Sequence, residues 1–363
     1  RPHRATARRA QRRKRCSMNG AFFDSTAYAV KLSQVEQFVV PPTSVLDASQ
    51  GYWRDRRRVW ESDYPQLTLL EERSTGGNDA FGQLAARDLS NNPAGAKIAA
   101  AGGVTVFDPV LAEVAYSWWS APGSHVYDPF AGGPVRGVVA AAMGRTYLGV
   151  DIRPEQVDSN EDRGIPGARW ITADSASYCP AACDFVFSCP PYGTLEQYGG
   201  GPADLSSMSW SSFQDAYRSS IEAAVGALKL NRFAAFVVGN YKERGELRDL
   251  ASLTVSAFGL AGADYFGDLV FTPPGGSAAL RAQSSFPTNR RPMPRHQMVL
   301  VFVKGDRRKA AAYVTGKEET EPSGMQAAKQ AGIDRANAQF LDAERLGRTN
   351  PRSTPTSHHE VAS

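Results

Sequence analysis

The chain has 363 residues and 42% hydrophobic content, which suffices for one large core or for one core with an appended module. No apolar run approaches the length of a membrane span, and no signal peptide is apparent. We therefore expect a cytoplasmic protein that has no membrane partner.

The formal net charge of +4 is unevenly distributed along the chain. Residues 1–15 hold eight Lys and Arg residues and no acid, so the remainder carries 4 − 8 = −4. Any affinity of the folded part for nucleic acid must therefore come from local basic patches. Residues 1–37 are predicted to be a disordered basic arm, whose first 17 residues are either upstream sequence or a nucleic-acid-binding tail.

The four cysteines show no metal-site spacing. Cys179 and Cys183 have neither a second pair nor a nearby histidine, and Cys16 and Cys189 stand apart from them. This usage predicts thiols in a reducing compartment, with no disulfide framework and no metal site.

The segment from Gly51 to Trp60 suits a short helix, with Trp53 and Trp60 one heptad apart. Two interpretations are open for the arginines between the tryptophans. They either contact phosphates, or they form the solvated face of a helix that its tryptophans dock. Residues 71–103 are rich in Gly, Asn and Ala and are predicted to form a loop or connector.

From residue 108 onward, strands and helices are predicted to alternate. In chain order, the patterns predict a helix from Asp108-Pro109, a strand His125–Tyr127, a helix Val138–Met143, strands Thr146–Val150, Arg169–Ala173 and Asp184–Phe187, a helix Phe213–Leu230, a strand Arg232–Gly239, a helix Leu250–Leu260, and strands Asp264–Thr272 and Met298–Val303. Such alternation indicates an α/β fold with a mostly parallel sheet.

A glycine-rich turn joins the first of these strands to the helix after it. The strand ends in Asp-Pro-Phe-Ala-Gly-Gly at residues 128–133, and the next strand is capped by Asp151. Glycines let the backbone approach a ligand closely, and an acid at the second strand's tip can accept hydrogen bonds from ribose hydroxyls. The next glycine is Gly137, which breaks the dinucleotide-binding spacing, and Asp128 suits a cationic ligand better than a pyrophosphate.

The run from Phe185 to Tyr192, Phe-Val-Phe-Ser-Cys-Pro-Pro-Tyr, predicts a buried strand that ends abruptly. Prolines cannot continue a central strand, so the chain must leave the sheet at the strand's carboxyl end, where α/β sheets bind ligands. The fixed φ angles of Pro190 and Pro191 would hold Tyr192 and the Pro190 carbonyl in constant directions.

Taken in order, these motifs resemble those of the amino-group DNA methyltransferases. The likeness rests on residues 128–133, on an acid about twenty residues later, on Ala173-Asp174-Ser175, and on Cys-Pro-Pro-Tyr. It extends over about residues 38–306, and the segment from Pro41 to Trp53 and the form Ser188–Tyr192 resemble phage-type DNA methylases. The resemblance implies a class I methyltransferase Rossmann-like fold, with a mostly parallel seven-stranded sheet, an antiparallel last strand and helices on both faces.

The resemblance also implies the reaction. Enzymes of this family transfer the methyl group of S-adenosylmethionine to an exocyclic amino group of a flipped base in duplex DNA, here N6 of adenine in preference to N4 of cytosine. The cell would be bacterial or phage-infected, and no metal would take part. The implied divisions are an N-terminal extension that could contact DNA at 38–106, a methyltransferase domain at 107–306 and a mostly disordered tail at 307–363.

Eight residues match the cofactor motifs of that family: Phe107, Asp108, Asp128, Phe130, Gly132, Gly133, Asp151 and Asp174. By resemblance, the first two lie near the methionine part of the cofactor, and Asp128 lies near its ammonium group. The glycines surround the amino-acid part, Asp151 takes the ribose hydroxyls, and Asp174 accepts from the adenine amino group.

The implied catalytic residues are Cys189, Pro190, Pro191 and Tyr192. An exocyclic amine is a poor nucleophile because its lone pair is delocalised into the ring. Two acceptors, the first side chain of the motif and the Pro190 carbonyl, would hold both N–H groups and stabilise the positive charge that grows on nitrogen. Tyr192 would stack on the flipped base.

The motif departs from the family at Cys189, where Asp, Asn or Ser is usual. Sulfur is a weak acceptor, so Ser188 or the backbone would share the role. The cysteine also leaves open cytosine-C5 methylation with Cys189 as the nucleophile. Two further classes of protein fit the same motifs: an RNA or protein methyltransferase on this fold, and a nucleic-acid-binding module with an inactive cofactor site.

Residues 273–297 are predicted to form a long basic loop. A loop of this length inside a compact domain is usually functional or disordered. Its arginines are therefore our candidates for contact with DNA: Arg281, Arg290, Arg291 and Arg295.

Overall fold

The structure is a computed structural model, which describes residues 38–67, 107–193, 201–243, 245–273 and 278–317. The predicted basic arm at 1–37, the connector at 71–103 and the tail beyond residue 317 lie outside the described residues. Within the described ranges, no helix combines the length and the apolar character that crossing a bilayer requires.

A mixed sheet of eight strands forms the centre of the fold. Its strands are β1 (Val45–Asp47), β2 (His125–Asp128), β3 (Thr146–Asp151), β4 (Ala168–Thr172), β5 (Cys183–Ser188), β6 (Leu228–Val238), β9 (Asp264–Thr272) and β10 (Gln297–Lys304). Across the sheet the order is β1-β9-β10-β6-β5-β2-β3-β4. Strand β10 runs antiparallel to both of its neighbours, and the other neighbouring pairs are parallel. A separate hairpin consists of β7 (Tyr241–Glu243) and β8 (Glu246–Arg248).

Helices cover both faces of this sheet. They are α1 (Gly51–Asp63), α2 (Pro109–Trp119), α3 (Val135–Ala142), α4 (Pro154–Glu161), α5 (Trp210–Ala227), α6 (Leu250–Leu260), α7 (Ala278–Asn289) and α8 (Arg307–Thr315). Helices α1, α2 and α3 pack into one core, and α5 and α6 pack into another. Strand β5 serves both cores, because Phe185 and Phe187 point to the first and Val186 to the second.

The fold class predicted from the sequence is confirmed. Seven of the strands form the mostly parallel sheet with one antiparallel strand that defines the class I methyltransferase Rossmann-like fold. The structure adds an eighth strand, β1, which pairs in parallel with the end of β9. Three residues are too few to show a period of two, so the sequence pattern did not reveal this strand.

The helix predicted around the two tryptophans is present as α1. Trp53 is fully buried and Trp60 is nearly so, and both belong to the core on the α1–α3 face. Of the arginines between them, Arg56 pairs with Glu113 of α2, and Arg57 pairs with Asp108 at the start of α2. The tryptophans therefore dock the helix as one interpretation proposed, and two of its arginines hold it to α2.

The structure differs from the sequence prediction in two segments near the end of the domain. The predicted loop at 273–297 contains a helix, α7. The predicted tail at 307–363 begins with another helix, α8, which buries Ala310. Both helices have few large apolar residues, so their periodicity is weak. The residues at both ends of α8 are typical helix caps. Asp306 accepts from two backbone amides at the start, and Gly316 adopts a left-handed conformation at the end.

Gly137 lets helix α3 lie directly against the sheet. A Cβ built at this position would meet the indole of Trp170, with Cη2 at 2.8 Å, and Tyr147 Cδ1 at 3.0 Å. Trp170 and Tyr147 are buried on neighbouring strands β4 and β3, so neither ring can move aside. The glycine that follows the Gly-rich loop is therefore a packing residue, as the third glycine of a nucleotide-binding turn is.

We expect Gly137→Ala to destabilise the protein by about 1–3 kcal/mol, because the methyl group overpacks the contact with Trp170. The matched control is Gly226→Ala, also in a helix but exposed, where a built Cβ meets nothing within 4 Å. The control should be neutral or stabilising by up to about 1 kcal/mol. Urea unfolding of the two variants compares them, and equal stability would contradict the packing role of Gly137.

Candidate active site

The carboxyl ends of β2, β3, β4 and β5 meet at one edge of the sheet. Because β10 is antiparallel, its first residue, Gln297, lies at this same edge. The predicted glycine-rich loop, the two strand-tip acids and the Cys-Pro-Pro-Tyr motif all follow strands that end here. The fold therefore brings the two predicted halves of the site to one edge. We call this the catalytic edge.

Asp151 closes the glycine-rich loop against the tip of β3. Its Oδ2 accepts from the Gly132 amide at 3.0 Å, and its Oδ1 accepts from the Arg153 amide at 2.9 Å. Gly132 has a φ of +50°, which a residue with a Cβ adopts only at a cost. A Cβ built on Gly132 or on Gly133 meets no atom within 4 Å, so open space adjoins the loop.

Helix α4 supplies a polar relay that the sequence analysis missed. Asn160 is fully buried and donates its amide to the Gly132 carbonyl at 2.7 Å. Gln156 donates to Asn160 at 3.2 Å, and Arg153 donates to Gln156 at 3.0 Å. These hydrogen bonds thus connect Arg153, two residues after Asp151, with the Gly-rich loop, whose Gly132 amide is bound by Asp151. Polar residues at i, i+3 and i+7, counted from Arg153, were its only signal in the sequence.

Asp128 lies at the centre of a buried hydrogen-bond network. The side chain is fully buried, and each carboxylate oxygen accepts two hydrogen bonds. Oδ1 accepts from the Phe130 amide at 3.1 Å and from Ser188 Oγ at 2.5 Å. Oδ2 accepts from Arg136 Nε at 2.6 Å and from the Tyr147 hydroxyl at 2.7 Å. Such a carboxylate has no capacity left for a ligand's ammonium group.

Arg136 is the buried counter-charge of Asp128. Besides the ion pair, its guanidinium donates to the Phe130 and Ala131 carbonyls, at 2.7 and 2.9 Å. Burial is the largest single influence and opposes its charge, but the Asp128 carboxylate, together with Tyr147 and Cys189, raises the pKa of Arg136 above its usual range. Burial, reinforced by Asp128, also raises the pKa of Tyr147, which keeps the phenol protonated as a donor.

Phe107 and Asp108 lie at the start of α2. The Phe107 ring lies 4.7 Å from the Arg136 guanidinium and meets Phe187 edge-on, with the ring centroids 5.8 Å apart. Asp108 caps α2 by accepting from the Val110 amide, and its other oxygen accepts from Trp53 Nε1 and from Arg57. Asp108 is therefore occupied in joining α1 to α2.

Asp174 forms the turn that follows β4. Its side chain accepts from the Ala176 amide at 2.9 Å, and its carbonyl accepts from the Ser177 and Tyr178 amides. The side chain is partly exposed at the catalytic edge. Phe130, from the Gly-rich loop, stacks on Tyr217 of α5 at 6.0 Å.

The Cys-Pro-Pro-Tyr motif begins with a half-buried cysteine and a buried proline, Cys189 and Pro190. Ser188 is fully buried and donates to Asp128. Its oxygen keeps acceptor capacity, but its burial argues against the acceptor role that the sequence suggested for it. Pro191 and Tyr192 are partly exposed. The Tyr192 hydroxyl lies 4.0 Å from Cys189 Sγ and accepts from Gln297 Nε2 at 2.6 Å.

A continuous series of aromatic contacts connects Tyr192 with the Gly-rich loop. Successive rings have centroids 5.3 to 6.4 Å apart, along the path Tyr192, Tyr241, Trp210, Phe213, Tyr217 and Phe130. Arg248 of the β7–β8 hairpin lies over Trp210 at 5.3 Å. The hairpin therefore packs against the catalytic edge, although the sequence analysis did not predict it.

The predicted DNA-contacting arginines lie before β10. Arg290, Arg291 and Arg295 are exposed, and Arg290 lies 5.9 Å from the ring of Phe286. Arg281 belongs to α7, and its side chain lies outside the described part of the structure. A single residue separates Arg295 from Gln297, so the basic segment leads directly to the catalytic edge.

The cysteines of the described part form no disulfide. Burial raises the pKa of Cys183 to about 12, which keeps its thiol protonated and unreactive at neutral pH. Cys179 is exposed, away from the Cys-Pro-Pro-Tyr motif. Among the described residues, His, Cys, Asp and Glu side chains nowhere form a group of three that could hold a metal ion.

Comparison with known proteins gives structural neighbours only. No protein-family model matches the chain, and no curated protein matches it. A TehB-like SAM-dependent methyltransferase from Corynebacterium glutamicum is 16% identical, and the match covers 62% of this chain and 100% of that one, with a TM-score of 0.36. A putative RNA methyltransferase from Pyrococcus horikoshii is 14% identical, and the match covers 57% of this chain and 85% of that one, with a TM-score of 0.37. An rRNA methylase from Streptococcus thermophilus is 12% identical, and the match covers 56% of this chain and 100% of that one, with a TM-score of 0.34. Likenesses at this level of identity and TM-score say nothing about the substrate.

We expect Asp128→Asn to lower the free energy of unfolding by about 3–5 kcal/mol, because it leaves the Arg136 charge buried without its partner. Arg136→Met should lower the free energy of unfolding by a similar amount, because it leaves the Asp128 carboxylate buried without its partner. The double variant should cost clearly less than the sum of the two, since it buries no unpaired charge. Urea unfolding measures all three, and additive losses would contradict the buried pair.

Proposed function

We propose that this protein is an S-adenosylmethionine-dependent methyltransferase that modifies an exocyclic amino group of a base in DNA, N6 of adenine in preference to N4 of cytosine. One observation carries the proposal. The Gly-rich loop with Asp151 and the Cys-Pro-Pro-Tyr motif lie at the same sheet edge, and Asp128 binds the loop through the Phe130 amide and the motif through Ser188.

The residues at this edge fit the cofactor. The backbone beside Gly132 and Gly133 faces open space, so a ligand can approach it closely. Asp151 accepts one backbone hydrogen bond on each oxygen and keeps acceptor capacity for ribose hydroxyls. Asp174, partly exposed at the next strand end, is the candidate acceptor for the adenine amino group. S-adenosylmethionine, when bound, supplies a methyl group that is already activated by the sulfonium charge.

The Cys-Pro-Pro-Tyr motif fits a planar base that carries an amino group. Tyr192 is partly exposed and offers a ring for stacking. The Pro190 carbonyl is the strong acceptor at the motif, because Ser188 is fully buried and the sulfur of Cys189 accepts weakly. Holding the amine N–H groups on these acceptors directs the nitrogen lone pair out of the ring plane and stabilises the charge that develops on nitrogen.

A nucleic acid fits the surface next to the motif. Arg290, Arg291, Arg295 and His296 are exposed in the segment that precedes Gln297. Guanidinium groups in such a segment can bind phosphates on either side of a flipped nucleotide. DNA is preferred over RNA because the ordered motifs resemble those of DNA-directed amino methyltransferases.

Methyl transfer from S-adenosylmethionine with a tritiated methyl group tests the function directly. The full chain should label unmethylated duplex DNA, and digestion to nucleosides should yield N6-methyl-2′-deoxyadenosine. Asp151→Ala should weaken cofactor binding by about 1–3 kcal/mol in calorimetry, as expected for loss of a hydrogen-bond acceptor. Labelling confined to RNA or to protein would assign another substrate class, and no cofactor binding would mean an inactive site.

A pair of variants distinguishes amine-directed transfer from cytosine-C5 methylation. Cys189→Ser should keep substantial activity, because a hydroxyl is of similar size and is the better acceptor. Tyr192→Ala should lose most activity, since stacking on a base contributes about 1–3 kcal/mol. If Cys189 were a nucleophile, the serine variant would be inactive. The wild-type protein would then form a covalent adduct with DNA that carries 5-fluorocytosine, visible as a shifted band on a denaturing gel.

Reversing the charge of Arg290, Arg291 and Arg295 together should weaken DNA binding. It should also lower the slope of log K against log salt by about one unit for each phosphate that the protein no longer neutralises, because fewer counterions are released. A charge-matched control reverses three exposed basic residues of α8, beyond the opposite end of β10: Arg307, Arg308 and Lys309. Fluorescence anisotropy over a salt series measures both proteins. Equal slopes would mean that DNA binds elsewhere, with Arg54, an exposed residue of α1, as the next candidate.

A further inference from the structure

Gln297 contacts the one aromatic ring that the proposed mechanism assigns to the base. Its Nε2 donates to the Tyr192 hydroxyl at 2.6 Å, across 105 residues of chain. Both side chains are partly exposed at the catalytic edge. Nothing in the sequence distinguishes Gln297 from any polar residue at the start of a strand, so only the fold reveals the contact.

The glutamine is held by rigid neighbours. Its successor, Met298, pairs with Val238 at the end of β6, and β10 is paired on both sides. Gly239 lies beside both side chains. A Cβ built on it would be in ordinary van der Waals contact with them, 3.7 Å from Tyr192 Cε1 and 4.0 Å from Gln297 Cγ. A side chain fixed on a paired strand orients its partner more accurately than one on a loop.

Tyr192 is held from two other directions. Tyr241 meets the ring edge-on, with centroids 6.4 Å apart, and burial raises the pKa of Tyr241 to about 12. Cys189 Sγ lies 4.0 Å from the Tyr192 hydroxyl. The ring is therefore bounded along one edge by Tyr241, and its hydroxyl is fixed by Gln297 beside the thiol.

We infer that Gln297 is a positioning residue, which sets the tilt of the Tyr192 ring so that a base stacked on it lies in line with the methyl donor. The link to catalysis rests on the proposed function, whereas the positioning of Tyr192 rests on geometry alone. Alignment of reacting groups is a large part of enzymatic rate acceleration, so a loosened ring should lower the rate of transfer more than it lowers affinity.

The first experiment needs no activity. Because the Tyr192 hydroxyl lies beside Cys189, release of the ring should change the exposure of that thiol. Native alkylation with iodoacetamide, followed by peptide mass spectrometry, should give severalfold faster labelling of Cys189 in Gln297→Leu than in the wild type. Exposed Cys179 serves as the internal reference, and Gln283→Leu, an exposed glutamine of α7, is the matched control.

Tyr192→Phe completes the test, because it removes only the hydroxyl that Gln297 binds. It should reproduce the faster labelling, and the double variant with Gln297→Leu should label no faster than either single variant. Gln297→Glu should restore most of the wild-type rate, since a carboxylate can accept from the tyrosine hydroxyl. A merely structural role would instead give additive effects and no rescue.

The second experiment measures methyl transfer. Gln297→Leu should lower the single-turnover rate by about 3- to 10-fold, as for loss of one hydrogen bond, and leave the KM for S-adenosylmethionine unchanged. Equal Cys189 labelling in the wild type and in Gln297→Leu would overturn the inference, whatever the transfer rates are. Altered labelling in a protein that methylates no substrate would support the positioning of Tyr192 and refute the proposed function.

Discussion

The buried ion pair of Asp128 and Arg136 is the interaction on which the catalytic edge depends. A carboxylate and a guanidinium are costly to remove from water, and they are tolerated only with a close partner and with their remaining hydrogen bonds made. Here the donors to Asp128 come from the Gly-rich loop, α3, β3 and the end of β5. The requirement to satisfy one buried charge therefore fixes four segments relative to each other, including both halves of the site.

Asp128, the most prominent acid of the loop, is enclosed, whereas the Phe130 side chain of the same loop is partly exposed. The hydrogen bonds that run from Arg153 through Gln156 to Asn160 keep the backbone of the loop in place. At the other half, Ser188 belongs to the same buried network, whereas Cys189, Pro191 and Tyr192 are partly exposed. The edge thus separates buried residues that hold the geometry from residues that reach the surface.

Much of the fold followed from local patterns. The strand Asp264–Thr272 and the helix Leu250–Leu260 have the bounds that alternation and helical spacing predicted. The Gly-rich turn and Pro190-Pro191 marked where the chain leaves the sheet. What the sequence could not show was which residues far apart in the chain contact each other. The hydrogen bond from Ser188 to Asp128, the donation from Gln297 to Tyr192 and the pairing of β1 with β9 join residues distant in sequence, and no spacing rule encodes them. Helices α7 and α8 were missed for another reason, since both contain too few large apolar residues to show a period.

The position of β10 also sets an order in which the sheet can be completed. Strand β9 has only β10 and the short β1 as neighbours, and β1 pairs with β9 alone. During synthesis, β2 to β6 can pair as they emerge, but β9 has no place in the sheet until β10 has inserted beside β6. Of the described strands, the one nearest the amino terminus, β1, consequently cannot join the sheet before β10 does. A nascent chain therefore carries an unfinished sheet, with an exposed edge on β6, until almost the whole domain has left the ribosome.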